Sequence, residues 1–456
     1  LLFCFFAEDT GIFKKDIFSN YIQQCTQDDG SDLAQALDAI FNVMDSNSRR
    51  DLPNVISQFP YVNGGLFSSR ITIPELNYKV RRIILECGEL NWGEINPDIF
   101  GSMFQGVVTP ELRGDFGMHY TSVPNILKLI QPLFLNDLEE AFAKAWGNEK
   151  QLNALLVRIS KMKFFDPACG SGNFLIITYK ELRKLEIRIW QRIAELTGSH
   201  VLPYTNISIT QFYGIEIDSF AHEVAMLSLW LAEHQMNALF SKTFTNVHID
   251  ALPLKNIDHI RQGNACRVDW NEVCPHTPEE EVFVMGNPPY LGSKIQDKNQ
   301  KNDVEVVFGK IKNTKILDYI CNWFYLGAKY IQSTNAQYAF VSTNSICQGE
   351  QVSVLWPEIF NKSLSISFAH TSFKWTNNAS AVAGVTCIIV GVSSITKKNK
   401  FIFQGEKIMS VPNISPYLTD GSNLVVYKSH KVPKGFQKLC FGCMPYDEGN
   451  LLLDQF

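Results

Sequence analysis

The stretch "KFFDPACGSGNFLIITYKELRKLEIRIWQRIAEL", Lys163 to Leu196, decides the fold. It begins as a short apolar run, breaks at an acid, a proline and two glycines, and resumes as a long amphipathic helix. An acid ends the strand, and Gly170 and Gly172 bracket Ser171, so the backbone can turn sharply and approach a ligand closely before the helix starts. By its mechanics this is a cofactor loop. Taken alone it also fits an ordinary tight strand-to-helix turn. Leu175 stands where the fingerprint Gly-x-Gly-x-x-Gly needs its third glycine, which counts against NAD or FAD.

The same texture extends outward. "QFYGIEID" leads into "SFAHEVAMLSLWLAEHQMNALF", and "EVFVMGNPPY" and "YAFVSTNS" follow. Strand and helix in alternation predict an α/β, doubly wound parallel sheet with helices on both faces. Ligands of such sheets sit at the carboxyl ends of the strands, where each of these turns lies. Residues 1 to about 112 read differently, as a helical module: "SDLAQALDAIFNVMD" spaces Leu33, Leu37, Ile40, Phe41 and Met44 on one face behind a Ser/Asp cap, and "YKVRRIILECGEL" repeats the habit.

Composition sets the outer bounds. A chain of 456 residues, 45% apolar and 12% aromatic, can bury a large core and divide into two or three domains. The formal net charge of -5 excludes a global basic field, so contact with nucleic acid has to be local. Two stretches supply local positive charge, Lys294 to Lys315 after NPPY and Lys428 to Lys438 near the end. Lysine runs ordinarily form a solvated face, but beside a substrate mouth they also suit phosphate contact. Eleven scattered cysteines fit a reduced compartment, and the pair Cys440 and Cys443 lacks the second pair a zinc site needs, so no metal is expected. No apolar run approaches the roughly 20 residues of a membrane helix. The opening "LLFCFFAEDTGIF" lacks the marks of a signal peptide and begins without Met, which predicts a piece of a longer chain.

Two turns carry the chemistry. In "FYGIEID", Glu216 is placed to accept hydrogen bonds from the hydroxyls of a ribose, and Asp218 to cap the helix that follows. A nucleoside cofactor without the pyrophosphate fingerprint suggests S-adenosyl-L-methionine. In "VFVMGNPPYLG", Val282 to Gly292, the side chain of Asn287 and the carbonyl of Pro288 would accept the two N–H groups of an exocyclic amine. The nitrogen lone pair then points at a methyl group. Pro288 and Pro289 hold that carbonyl rigidly, and Tyr290 offers a face on which a base stacks. Downstream, Phe373 and Trp375 are expected in a short loop before the strand "VTCIIVG", as core aromatics or with one of them on the opposite face of an extruded base.

"DPACGSGNF" followed by "NPPY" resembles the cofactor and catalytic motifs of gamma-type S-adenosylmethionine-dependent DNA amino-methyltransferases. "GMHYTS", Gly117 to Ser122, is similar to their upstream motif, and "GNACRVDW", Gly263 to Trp270, to the motif that meets the cofactor adenine. "LLFCFFAEDTGIF", "YVNGGLF" and "HYTSVPNILKLI" further resemble the MmeI-like type IIG restriction-modification enzymes.

The resemblance implies a Rossmann-like methyltransferase domain over residues 113–409 after a helical connector over 1–112, with the start of a target recognition domain over 410–456. It implies a cofactor site of His119, Tyr120, Thr121, Asp166, Pro167, Ala168, Cys169, Gly170, Gly172, Asn173, Phe174, Glu216, Ile217, Asn264 and Asn287, with Asn287, Pro288, Pro289 and Tyr290 catalytic. Asn264 stands where many members carry Asp, so the adenine contact falls to Asn264 or Asp269. The implied reaction is N6 methylation of an adenine flipped out of double-stranded DNA at a specific sequence, in the bacterial cytoplasm. Cytosine N4 and a glutamine side-chain amide present an amine to the same motif and remain alternatives, as does a specificity module serving a nuclease. A covalently linked nuclease is expected upstream and a recognition domain downstream. An acid pair followed by Glu-x-Lys is not found at a plausible position, so cleavage is not expected from these residues.

Overall fold

The computed structural model describes residues 1–94 apart from 49, 51, 63–65 and 68–71, then 121–198, 202–245, 258–374, 386–394 and 400–428, with the single residues 247, 249, 254 and 435. The N-terminal module is helical, as its periodicity predicts: α1 (Leu2–Asp9), α2 (Ile17–Cys25), α3 (Leu33–Asp45) and α4 (Tyr78–Gly88). Asn77 caps α4 through the amides of Lys79 and Val80. Asp32 stands before α3 but does not cap it; its backbone is already helical and its carboxylate accepts the amide of Gln27.

A second helical run, α5 (Val123–Ile130), α6 (Asn136–Ala145) and α7 (Glu149–Lys161), leads into the sheet. Between α5 and α6 the segment Gln131–Leu135 widens to a π-turn at Pro132, which has no N–H to give the ladder. Then come β1 (Lys163–Asp166), α8 (Asn173–Thr197), β2 (Phe212–Glu216), α9 (Ser219–Thr243), β3 (Ile260–Gln262), α10 (Trp270–Val273) and β4 (Val282–Gly286). The chain continues through α11 (Lys298–Phe308), α12 (Cys321–Tyr330), β5 (Gln337–Thr343), α13 (Val352–Phe360), β6 (Leu364–Lys374), β7 (Thr386–Ser394), β8 (Lys400–Gln404) and β9 (Lys407–Val411).

Strands β2 and β4 are buried at every residue, the pattern of parallel strands covered on both faces. They lie in one nine-stranded sheet of order β3-β2-β1-β4-β5-β7-β6-β8-β9. β1 to β5 are parallel, while β7 runs antiparallel to both of its neighbours. From β1 the chain steps outward to β2 and β3 and then returns past β1 to β4. The order therefore reverses between β1 and β4, the place where an open α/β sheet leaves a crevice for ligands.

Residues on α8 and α9 pack on one face of the sheet, and residues on α10 to α13 on the other. The N-terminal module joins the first of these layers in one continuous apolar cluster. Phe6 meets the edge of His234 on α9 with ring centroids 5.8 Å apart, His234 Nε2 lies 3.3 Å from the Thr10 carbonyl oxygen, and the Leu254 amide donates to the Val62 carbonyl at 2.7 Å. Among the described residues, no helix is long and apolar enough to cross a membrane.

Candidate active site

The site is built on the carboxyl ends of β1 to β4. Asp166 ends β1 fully buried; its Oδ1 accepts the Ala168 amide at 3.0 Å, and its Oδ2 has no partner. Burial pushes its carboxyl up to about 8. β4 ends alongside at Gly286, where a Cβ would come within 2.5 Å of Asp166 Oδ1, so the close approach of these two strand ends depends on glycine.

The loop after Asp166 turns as its sequence predicts, with Gly170 and Gly172 at φ of 54° and 86°. It is pinned from outside: Trp323 Nε1 donates to the Pro167 carbonyl at 3.1 Å, and the Cys169 amide donates to the Ile215 carbonyl at 3.0 Å. Burial raises the Cys169 thiol well above its ordinary value, which suits packing rather than nucleophilic chemistry. Asn173 opens α8 with Oδ1 buried and unpartnered, and Phe174 beside it is in the core.

Glu216 ends β2. Its Oε2 accepts the Gly170 amide at 2.8 Å and its Oε1 the Asp218 amide at 2.9 Å, so the acid shapes the glycine loop itself. Each carboxylate oxygen keeps a further lone pair. Burial raises this carboxyl too, against the pull of the two amides. Asp218 caps α9 by accepting the Ala221 amide at 2.8 Å, while Ile217 between the two acids is exposed.

Past β3, Asn264 is half-buried; its Oδ1 accepts the Cys266 amide at 2.8 Å and its Nδ2 donates to Asp303 Oδ2 at 2.9 Å. Asp269, the other candidate for the adenine, is exposed and caps α10 through the Asn271 amide.

Past β4, Asn287 donates from Nδ2 to Thr121 Oγ1 at 3.3 Å, while its Oδ1 is buried without a partner. The upstream segment and the Asn-Pro-Pro-Tyr loop therefore meet in space across 166 residues of sequence. Pro288 is buried and Pro289 half-buried. The loop leaves through Leu291, whose amide donates to Asp318 Oδ1 at 2.8 Å and whose carbonyl accepts the Tyr319 amide at 3.0 Å. The Tyr290 hydroxyl hydrogen-bonds the Cys387 thiol on β7, and burial pushes that hydroxyl far up.

Cys387 pairs directly with Phe373 on β6. The expectation of a loop at Phe373 is therefore corrected: strand β6 runs on to Lys374, because its last residues find partners in β7. Phe373 packs with Cys387 against the apolar cluster of α8 and α9, while Tyr290 packs against the cluster of the other face. The Lys128 ammonium of α5 sits 4.6 Å from the Phe373 ring centroid.

Some predicted site residues, His119, Tyr120 and Trp375, lie outside the described residues, as do Cys440, Cys443 and the basic stretch after Lys428 apart from Gly435. Among the described residues, no group of three or more His, Cys, Asp and Glu is placed to hold a metal ion. Several contributors escape sequence reading. Asp318 anchors Leu291, Cys387 holds Tyr290, and Asn125, four residues past Thr121, has a buried unpartnered Nδ2. Asp303 hides in a lysine-rich stretch, though an acid four residues before the buried Val307 is a visible break in an apolar stripe.

The chain as a whole is similar to known proteins. Residues 142–404 match the family model of the MmeI DNA-methyltransferase domain, and residues 1–67 that of the MmeI helicase spacer domain. DNA methyltransferase A of Bacillus subtilis (strain 168) is 55% identical over 454 residues, 99% of this chain and 52% of that protein. The structure of the type IIL restriction-modification enzyme MmeI in complex with DNA superposes with a TM-score of 0.87 at 41% identity, covering 94% of this chain and 59% of that one. The chain thus spans about half the length of the Bacillus relative.

Proposed function

The chain belongs to the MmeI DNA-methyltransferase family, and on that premise we propose that it transfers a methyl group from S-adenosyl-L-methionine to the exocyclic N6 amine of an adenine swung out of double-stranded DNA, within a bacterial restriction-modification system. The observation that carries this reading is Asn287: its nitrogen is held by Thr121, while its oxygen is buried and unpartnered beside two prolines. A buried acceptor without a partner costs about 1–3 kcal/mol, a cost removed when an N–H donor arrives.

The residues present fit the cofactor. Asp166 offers a bare carboxylate oxygen to the ammonium of the methionine end, and Thr121 with His119 and Tyr120 would close over it. Glu216 has one lone pair on each oxygen for the ribose hydroxyls, and Asn264 faces the adenine. The cofactor supplies a methyl group on a positively charged sulfur. The chain's own part is to make the target nitrogen nucleophilic. The lone pair of an aromatic amine is delocalised into the ring; Asn287 Oδ1 accepts one N–H and the Pro288 carbonyl the other, which draws the nitrogen towards tetrahedral geometry. The new N–C bond forms as the S–C bond breaks, and the methylated amine then releases a proton to water. Tyr290 stacks on one face of the base and Phe373 on the other. Connector residues 1–112, methyltransferase residues 113–409 and the first part of a recognition domain are the divisions this reading assigns, in a longer cytoplasmic enzyme whose nuclease lies upstream.

Mass spectrometry of nucleosides tests the assignment, after incubation of the protein with isotopically labelled cofactor and mixed-sequence DNA at low salt. The label is expected on N6 of deoxyadenosine. Label on N4 of deoxycytidine, or on protein glutamine with none on DNA, would replace adenine as the substrate.

A further inference from the structure

We propose that Asp303 is a positioning residue that locks the Asn264 amide in one orientation and thereby makes the cofactor pocket select a purine bearing an amino group over one bearing an oxo group. This rests on the reading above, in which Asn264 faces the adenine of the cofactor.

Asp303 lies on α11, within the lysine-rich stretch after the catalytic loop, yet its side chain is almost wholly buried, at 2% exposure. Its two oxygens collect three donors. Oδ1 takes Arg267 Nε at 2.7 Å, and Oδ2 takes both Asn264 Nδ2 at 2.9 Å and the Tyr319 hydroxyl at 2.8 Å. Arg267 alone does not account for this arrangement. Its side chain is 48% exposed, so its charge is screened by water, and it touches the other oxygen.

What the geometry fixes is the amide. An amide's oxygen and nitrogen are nearly isosteric, and only hydrogen-bond partners set which way it points. Here Nδ2 faces a carboxylate and Oδ1 faces the Cys266 N–H at 2.8 Å. Rotating the amide would set oxygen against the carboxylate and N–H against N–H. The remaining lone pair of Oδ1 is thus presented as an acceptor, which matches an amino group at purine C6 and opposes an oxo group there. A carboxylate at the Asn264 position would be an acceptor from either end. Asp303 confers the same acceptor character on an amide. The Tyr319 amide also donates to Leu291, at the exit of the catalytic loop, so the lock is anchored to the part of the site that must stay fixed.

The test is calorimetric binding of S-adenosylhomocysteine and of its inosine counterpart to wild type, D303A, N264D and N264D/D303N, with thermal unfolding recorded for each. Wild type should favour the adenosine ligand by about tenfold or more, since a mismatched buried hydrogen-bonding group costs about that much. D303A removes the carboxylate and leaves the Cys266 N–H as the amide's remaining partner, so the hold weakens and the preference should fall to within about threefold. N264D sets two carboxylates face to face and should lose binding of both ligands, whereas N264D/D303N restores a donor between them and should recover both affinity and preference. A folded D303A with the full preference overturns the proposal. So does a folded double variant that fails to recover, which decides the matter even if D303A does not fold. Wild type that binds the adenosine ligand without preference overturns the proposal and leaves the methyltransferase reading standing; wild type that binds neither ligand removes both.

Discussion

Asp166 is a carboxyl group held where a carboxylate is unwelcome. Burial lifts it from its ordinary 3.8 to about 8, so between those values the folded, ligand-free protein holds a proton that the unfolded chain has released. Through this group the stability of the ligand-free protein is greatest below about 4 and is lost as pH rises towards 8. A cationic ammonium placed against the bare Oδ2 reverses the preference, because it stabilises the ionised form. Calorimetry at pH 7 in buffers of different ionisation enthalpy should therefore show that binding of S-adenosylhomocysteine releases protons. Asp166→Asn should abolish that release and weaken binding. Unchanged proton release in the variant would place the titrating group elsewhere.

At the scale of elements, the site is assembled by contacts that join distant segments. β6 carries Phe373 opposite Cys387, Cys387 holds the Tyr290 hydroxyl, and α5 lays Lys128 against Phe373. If the ring stacks on the target base, Phe373→Ala should slow methyl transfer about 10- to 100-fold, following the roughly 1–3 kcal/mol that aromatic stacking on a base contributes. Cofactor affinity should stay unchanged by calorimetry, because the ring is assigned no cofactor contact. A variant that loses cofactor binding and activity together would mark Phe373 as structural. This element also shows where sequence reading stops. The glycine loop, the Asp218 cap and the α/β alternation were legible because their signals are local: an acid, glycines, a period. The extension of β6 to Lys374 and the role of Cys387 were not, since both depend on pairing with a strand elsewhere in the sheet. Asp303 was legible only as one acid among lysines, because its three partners come from two other segments, Asn264 and Arg267 from the turn after β3 and Tyr319 from just before α12.

Across the whole molecule, one apolar cluster runs from Phe3 in the N-terminal module to Phe283 and Ile389 in the sheet. The helical module and the methyltransferase sheet should therefore unfold together, as a single calorimetric transition that S-adenosylhomocysteine shifts upward. Two separated transitions, only the later one ligand-sensitive, would show the module folding independently. With a net charge of -5, these 456 residues should hold mixed-sequence DNA only in the weak non-specific range, roughly 10⁻⁴ to 10⁻⁶ M at physiological salt, so methylation is best assayed at low salt. The most direct measurement compares wild type with Asn287→Ala for transfer of labelled methyl to DNA under those conditions, alongside cofactor affinity. The reading predicts that transfer is lost by far more than any fall in cofactor affinity, because the Asn287 oxygen is aimed at the target amine and acts most strongly as charge develops there. Near-wild-type transfer by Asn287→Ala would contradict the proposed mechanism.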